Sequence, residues 1–175
     1  MEAKKTNWKP EGFHSLTPHL TVSDVEKAIE FYKDAFAAEE ISRLAGPGGA
    51  GVMHAELKIG DSFFMLGQSC DESSHEEHHE KYHGEEHEGK HKEHEEHASC
   101  MVHIYVEDVD AAFERAKAAG AKVTMPPENM FWGDRYGMVS DPFGHSWSLA
   151  THIEDITPEQ MSERAEEFFA KMSKK

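Results

Sequence analysis

The sequence has no apolar run approaching the roughly 20 residues that a membrane-crossing helix needs. Its first residues, MEAKKTNWKPEG, lack the apolar stretch of a secretory signal. A cytoplasmic location is the expectation. Cysteine is scarce, with only Cys70 and Cys100 in 175 residues. In a reducing compartment such a pair stays as two free thiols, or lends thiolate to a metal bound nearby. Positive charge is also scarce: 18 Lys and Arg against 34 Asp and Glu, a formal charge of −16. That balance argues against binding a phosphate backbone, which needs clustered Lys and Arg, and equally against anionic membranes. Neither nucleic acid nor membrane is an expected partner, and no organic cofactor is expected.

Histidine, by contrast, is abundant and unevenly placed. Eight of the fourteen fall in HEEHHEKYHGEEHEGKHKEHEEH, residues 75–97. Residues 71–97 carry eleven acids and three lysines, a charge of −8, half the total. His75, His79, His83, His87 and His91 recur at a strict spacing of four, followed by His94 and His97. Neutral imidazole is a good ligand for zinc and nickel, and histidines four apart share a helix face. Gly84 and Gly89 oppose a helix, and Tyr82 is almost alone as an apolar group, so the tract buries nothing that would offset the entropy of ordering. It reads as a segment that orders only on metal. The bland alternative is a solvated polar linker with adventitious metal affinity.

With the tract set aside, the chain repeats itself. HLTVSDVEKA from His19 and HIYVEDVDAA from His103 share five of ten residues at an offset of 84. GDSFFML from Gly60 and GHSWSLA from Gly144 lie at the same offset. Two copies of roughly fifty residues are implied, with the tract between them. The boundaries follow: 14–68 for the first copy, 69–99 for the insertion, 100–153 for the second, and 154–175 for a last helix.

Each copy opens with a short strand, at 19–22 and 102–106. A helix follows. In the first, Ser23 and Glu26 form a capping-box pattern, and Val25, Ala28, Ile29, Tyr32, Ala35 and Phe36 make an apolar stripe. In the second, Asp108 is the cap, Val109, Ala112, Phe113 and Ala116 the stripe, and Gly120 the stop. Strands are expected at 52–59 and 62–66, then at 121–125, 136–140 and 146–151, the last two flanking the turn SDPFG. The unit is βαβββ, twice, an α+β fold. The closing helix starts at Thr157-Pro158, with Gln160 completing its cap.

TPHLTVSDVEKAIEFYKDAFAAEE, MHAELKIGDSFFMLG and FWGDRYGMVSDPFGHSWSLATHIED resemble the vicinal oxygen chelate superfamily, which includes glyoxalases, bleomycin-resistance proteins and extradiol dioxygenases, and within it the PhnB-like branch. The resemblance covers nearly all of residues 14–157 outside the tract. It implies tandem βαβββ modules forming a curved mixed sheet around a cavity, a small-molecule ligand, and a homodimer. Metal-dependent members hold a divalent cation with side chains of the first and last strands. The carboxylate position on those last strands aligns here with Phe64 and Ser148, neither a good ligand, so the resemblance leaves open whether the chain is an enzyme.

His19 and His103 lie on the first strands, either as pocket-lining histidines or as metal ligands. His54 and Glu56 alternate on a strand and share a face. Trp132 and Arg135 suit an anionic ligand by stacking and by a bidentate clamp, or else they only pack the loop, with Arg135 paired to Asp134 or Asp141. Trp147 alternates with Ser146 and Ser148 and reads as core. Three functions remain: a glyoxalase-like small-molecule-binding protein, a metal-buffering or delivery protein using the fold as scaffold, and a non-catalytic drug-sequestering protein.

Overall fold

The computed structural model describes residues 8–69 and 100–172. The tract histidines therefore lie outside the described residues, as do Cys70 and Gly84. Two compact units are present, Met1–Glu30 with Ala38–His97 and Phe31–Ala37 with Ala98–Lys175.

The strands of the first unit are β1 (His19–Val22), β2 (Glu39–Ala45), β3 (Val52–Ile59) and β4 (Ser62–Gln68). They form one mixed sheet in the order β1-β4-β3-β2, in which β1 runs parallel to β4 and the other pairs are antiparallel. The second unit repeats this with β5 (Met101–Tyr105), β6 (Lys122–Asn129), β7 (Asp134–Ser140) and β8 (Ser146–His152), in the order β5-β8-β7-β6. The helices are α1 (Val25–Phe36), α2 (Val109–Ala118) and α3 (Pro158–Met172). The expected α+β architecture of two βαβββ repeats is present.

Local chemistry explains most element ends. Asp108 caps α2, its carboxylate accepting from the Ala111 amide at 3.0 Å. Thr157 and Gln160 exchange side-chain-to-backbone hydrogen bonds of 2.8 and 3.3 Å at the start of α3. At α1 the expected cap is off by one: Asp24, not Ser23, accepts from the Lys27 amide at 3.1 Å. β2 was not located by pattern, since EEISRLA is almost wholly exposed and carries no apolar alternation. β6 runs past the expected end at residue 125, through Pro126-Pro127, with shifts in register on both sides of Met125. Proline is tolerated there because β6 is an edge strand.

Every residue of the α1 stripe is buried. Trp147 is 1 % exposed and lies on the core side of β8, as expected. Within the second unit, Tyr32 and Phe36 pack on Trp147 at ring separations of 5.3 and 4.7 Å. The polar ends of this aromatic core meet at Asp141. Its carboxylate accepts from the Tyr32 hydroxyl at 2.6 Å, the Trp147 indole at 2.9 Å, and the amides of Phe143 and His145 at 2.9 and 2.8 Å. Burial, reinforced by the Asp141 charge, raises the Tyr32 hydroxyl far above its ordinary pKa, so Tyr32 is a permanent donor.

Candidate functional site

Each sheet has a core side and an open side. In the first unit Ala55, Leu57, Phe64 and Leu66 are buried on the core side. His54, Glu56, Met65 and Gly67 alternate with them and share the other side with His19. The His19 and His54 rings meet edge to face at 5.6 Å. A Cβ on Gly67 would lie 2.6 Å from His19 Nε2, so glycine is what lets that imidazole rest on β4. Glu56 accepts from the Ser42 hydroxyl at 2.8 Å. The structure thus groups His19, His54 and Glu56 on one face. A separate cavity of about 530 Å3 in this unit adjoins the start of α1, the 46–51 loop and the start of β3, and its lining contains no histidine or aromatic residue.

In the second unit Phe113 of α2 packs so closely on Gly137 that a Cβ there would lie 2.8 Å from its ring. Residues 135, 137 and 139 therefore face α2, and 134, 136 and 138 face the open side. There His103 stands opposite Ser148, and its Nδ1 is 2.7 Å from the Ser148 hydroxyl. The His103 ring meets Tyr105 at 4.6 Å and lies nearly parallel to Tyr136 at 6.1 Å. Trp132 meets Tyr136 edge to face at 5.5 Å.

Asp134 organises this face from below. It is 5 % exposed. One carboxylate oxygen accepts from the Tyr105 hydroxyl at 3.2 Å and the Trp132 indole at 3.1 Å. The other accepts from His152 Nδ1 at 2.8 Å, and His152 Nε2 reaches Asp155 at 2.9 Å. Gly133 makes the arrangement possible. Its carbonyl accepts from the amides of Ile153 and Glu154. With φ +92° and the Glu154 carbonyl oxygen 2.2 Å from where a Cβ would be, only glycine fits. The loop carrying Trp132 is thereby fixed to the end of β8.

Arg135 is elsewhere. Its guanidinium forms a bidentate pair with Asp110 of α2, both contacts 2.7 Å, and also reaches Asn129. Neither Asp134 nor Asp141 is its partner, and the strand alternation separates it from Trp132. Tyr105, Asp134 and His152 were missed in the sequence. Asp134 and His152 are 18 residues apart and meet only because β7 and β8 pair in that register.

The hydrogen bond to Asp155, then that to Asp134, raises the pKa of His152 above its ordinary value. A raised folded-state value means that the protonated ring's contribution to stability is complete below the unfolded pKa of about 6.5 and is lost as pH rises through the folded value. A proton NMR titration should therefore show His152 protonating above the ordinary histidine range. The Asp155→Asn chain should bring the midpoint down; an unchanged midpoint would remove Asp155 as the cause.

The sequence profile of the Glyoxalase/Bleomycin resistance protein/Dioxygenase superfamily matches residues 12–149. The chain belongs to this superfamily. A Mycobacterium bovis protein, Mb0911c, is 38 % identical over 151 residues, covering 84 % of this chain and 89 % of its own. The PhnB protein of Bacillus cereus has the same fold at 22 % identity, with a TM-score of 0.53 over 79 % of this chain and 99 % of that one. So has the fosfomycin resistance protein FosX of Listeria monocytogenes, solved with Mn(II) and sulfate, at 19 % identity and a TM-score of 0.55 over 87 % and 97 %. No described helix is long and apolar enough to cross a membrane.

Superfamily members such as FosX make a divalent metal a natural expectation, and the donor set here does not fit one. Among the described residues no group of three His, Cys, Asp or Glu side chains is placed to hold a metal ion. The residue facing His19 on β4 is Met65, not the Phe64 that the repeat alignment suggested; Phe64 is buried in the core. The residue facing His103 on β8 is Ser148, as aligned, and its hydroxyl is committed to the imidazole. A thioether and a hydroxyl are poor partners for a hard cation that wants carboxylate oxygen.

Proposed function

We propose that this superfamily member binds a small molecule on the open face of its second sheet, without routing the interaction through a metal held there. The observation that carries this reading is the set of His103, Tyr105, Trp132 and Tyr136 around the buried Asp134 carboxylate. A few fixed polar groups among aromatic walls is the usual make-up of a small-molecule site. Each ring is oriented by a hydrogen bond or a ring contact, so little freedom remains to be lost on binding. His19, His54 and Glu56 form a second polar group on the first sheet, suited to a ligand of their own. Arg135 takes no part, being engaged with Asp110.

The His/Glu-rich segment is a separate device in this reading, an insertion at 69–99 between complete modules. His75, His79, His83, His87, His91, His94 and His97 bind zinc or nickel there. Its charge of −8 and eight histidines favour metal buffering or delivery as the second function. The protein works as a homodimer in the cytoplasm.

A thermal-shift screen of small molecules, followed by calorimetry, tests the first part. Ligands that stabilise the full chain should bind about tenfold more weakly to Trp132→Leu, the loss of one good ring contact. Equal affinity for both chains would move the site elsewhere.

A further inference from the structure

We propose that the ligand of this face is a planar aromatic cation. The inference rests on the assignment of the face as the binding site and adds the class of molecule it selects.

Shape comes from the strand register. Ala150 of β8 lies between Tyr105 of β5 and Tyr136 of β7 and is fully buried. The two tyrosines rise from the strands on either side of that methyl floor. Tyr105 is 63 % exposed, so most of its ring is free to make contact. His103 presents a ring nearly parallel to Tyr136, at 18°, and Trp132 closes the far side. Met101, 40 % exposed, adds a polarizable sulfur 3.7 Å from the Tyr136 hydroxyl. Flat rings with little aliphatic surface between them favour a flat partner.

Charge decides the rest. Ring faces attract cations. Asp134 lies beneath the rings, the carboxylate of Asp155 is fully exposed at the end of β8, and Glu128 stands opposite Tyr136 on β6. Two of the three arginines of this unit are committed elsewhere, Arg135 to Asp110 and Arg164 to Glu154, and Arg115 belongs to α2, which packs on the other side of the sheet. His152 is held between two carboxylates, so its proton offsets only part of their charge. An anion would find only Lys122, opposite Ser140 at the other end of the β6–β7 pair, whereas a cation gains both the rings and the acids. Among the described residues no partner engages His103 Nε2, which leaves it available for a ring nitrogen of the ligand.

Calorimetry with three tricyclic probes separates the possibilities: 9-aminoacridine as cation, acridine as neutral ring, and anthracene-9-carboxylate as anion. The full chain should bind 9-aminoacridine one to one and at least about tenfold more tightly than the other two. Tyr105→Leu and Tyr136→Leu should each weaken it about tenfold. Both variants keep every acidic residue, so binding by the acidic surface alone would survive in them. Their melting curves establish that they fold. Undiminished binding of the cation by both variants overturns the proposal, as does equal or tighter binding of the neutral or anionic probe, or binding of no probe. If the neutral or anionic probe is preferred and is lost in the variants, the face remains the site and only the charge class falls. If no ligand from the screen depends on Trp132, Tyr105 or Tyr136, the site assignment falls with it.

Discussion

Asp141→Ala should cost this protein about 3 kcal/mol or more, the loss expected when several buried donors are orphaned at once. Asp141 is 5 % exposed and accepts four hydrogen bonds. Two come from the fully buried side chains Tyr32 and Trp147, which water cannot reach to replace the lost acceptor. The other two fix the turn between β7 and β8, and with it the register that sets Asp134 against His152. Asp141→Asn should fall between, since one amide oxygen can still accept while the amide nitrogen presents a donor to donors. Urea unfolding followed by tryptophan fluorescence measures both. A loss below about 1 kcal/mol for the alanine chain would mean that the turn and the two rings find other partners.

The turn at Asp141 also shows where the sequence is legible and where it is not. SDPFG reads as a turn because Pro and Gly punctuate it, and the turn is there between Ser140 and Ser146. What cannot be read is that its aspartate reaches a tyrosine 109 residues earlier. The repeats show a related limit. The matched strings GDSFFML and GHSWSLA suggest that Phe64 and Ser148 are equivalent. In the sheets, His19 faces Met65 while His103 faces Ser148, so the offset is 84 on the first strands and 83 on the last. One residue of slip carries a side chain to the other face of a strand. Core packing set the register: Phe64 is drawn to the same core side as Trp147, and string identity lost. The helices were easier, since their stripes recur locally within one or two turns. His54 and Glu56 could be grouped by alternation alone, and likewise Trp147 could be separated from the serines. Asp134, Tyr105 and His152 come from three strands and meet through pairing, which leaves no local trace in the sequence.

Replacing all eight tract histidines with glutamine should abolish tight zinc and nickel binding by the full chain. The argument is one of donors. The described residues supply no group of three ligating side chains, whereas residues 75–97 supply eight imidazoles amid ten glutamates and an aspartate in the wider 71–97 segment. Ligating imidazoles must be neutral, and an ordinary histidine titrates near pH 6.5, so metal binding should fade between about pH 7 and pH 5. Acidification also protonates the tract toward neutrality from −8, which removes attraction for a cation. The test is a zinc or nickel titration of the full chain, the eight-histidine variant and a chain lacking residues 73–97, each at both ends of that pH window. The deletion ends after β4 and before β5, so its melting curve should remain cooperative, as an insertion between complete modules requires. Glutamine keeps the length and most of the polarity of the segment, so loss of metal in that variant cannot be ascribed to a shortened connection. If either altered chain retains one tight, stoichiometric metal ion, the tract is not the site. His19 and His54, with rings 5.6 Å apart beside Glu56, then become the first ligands to replace.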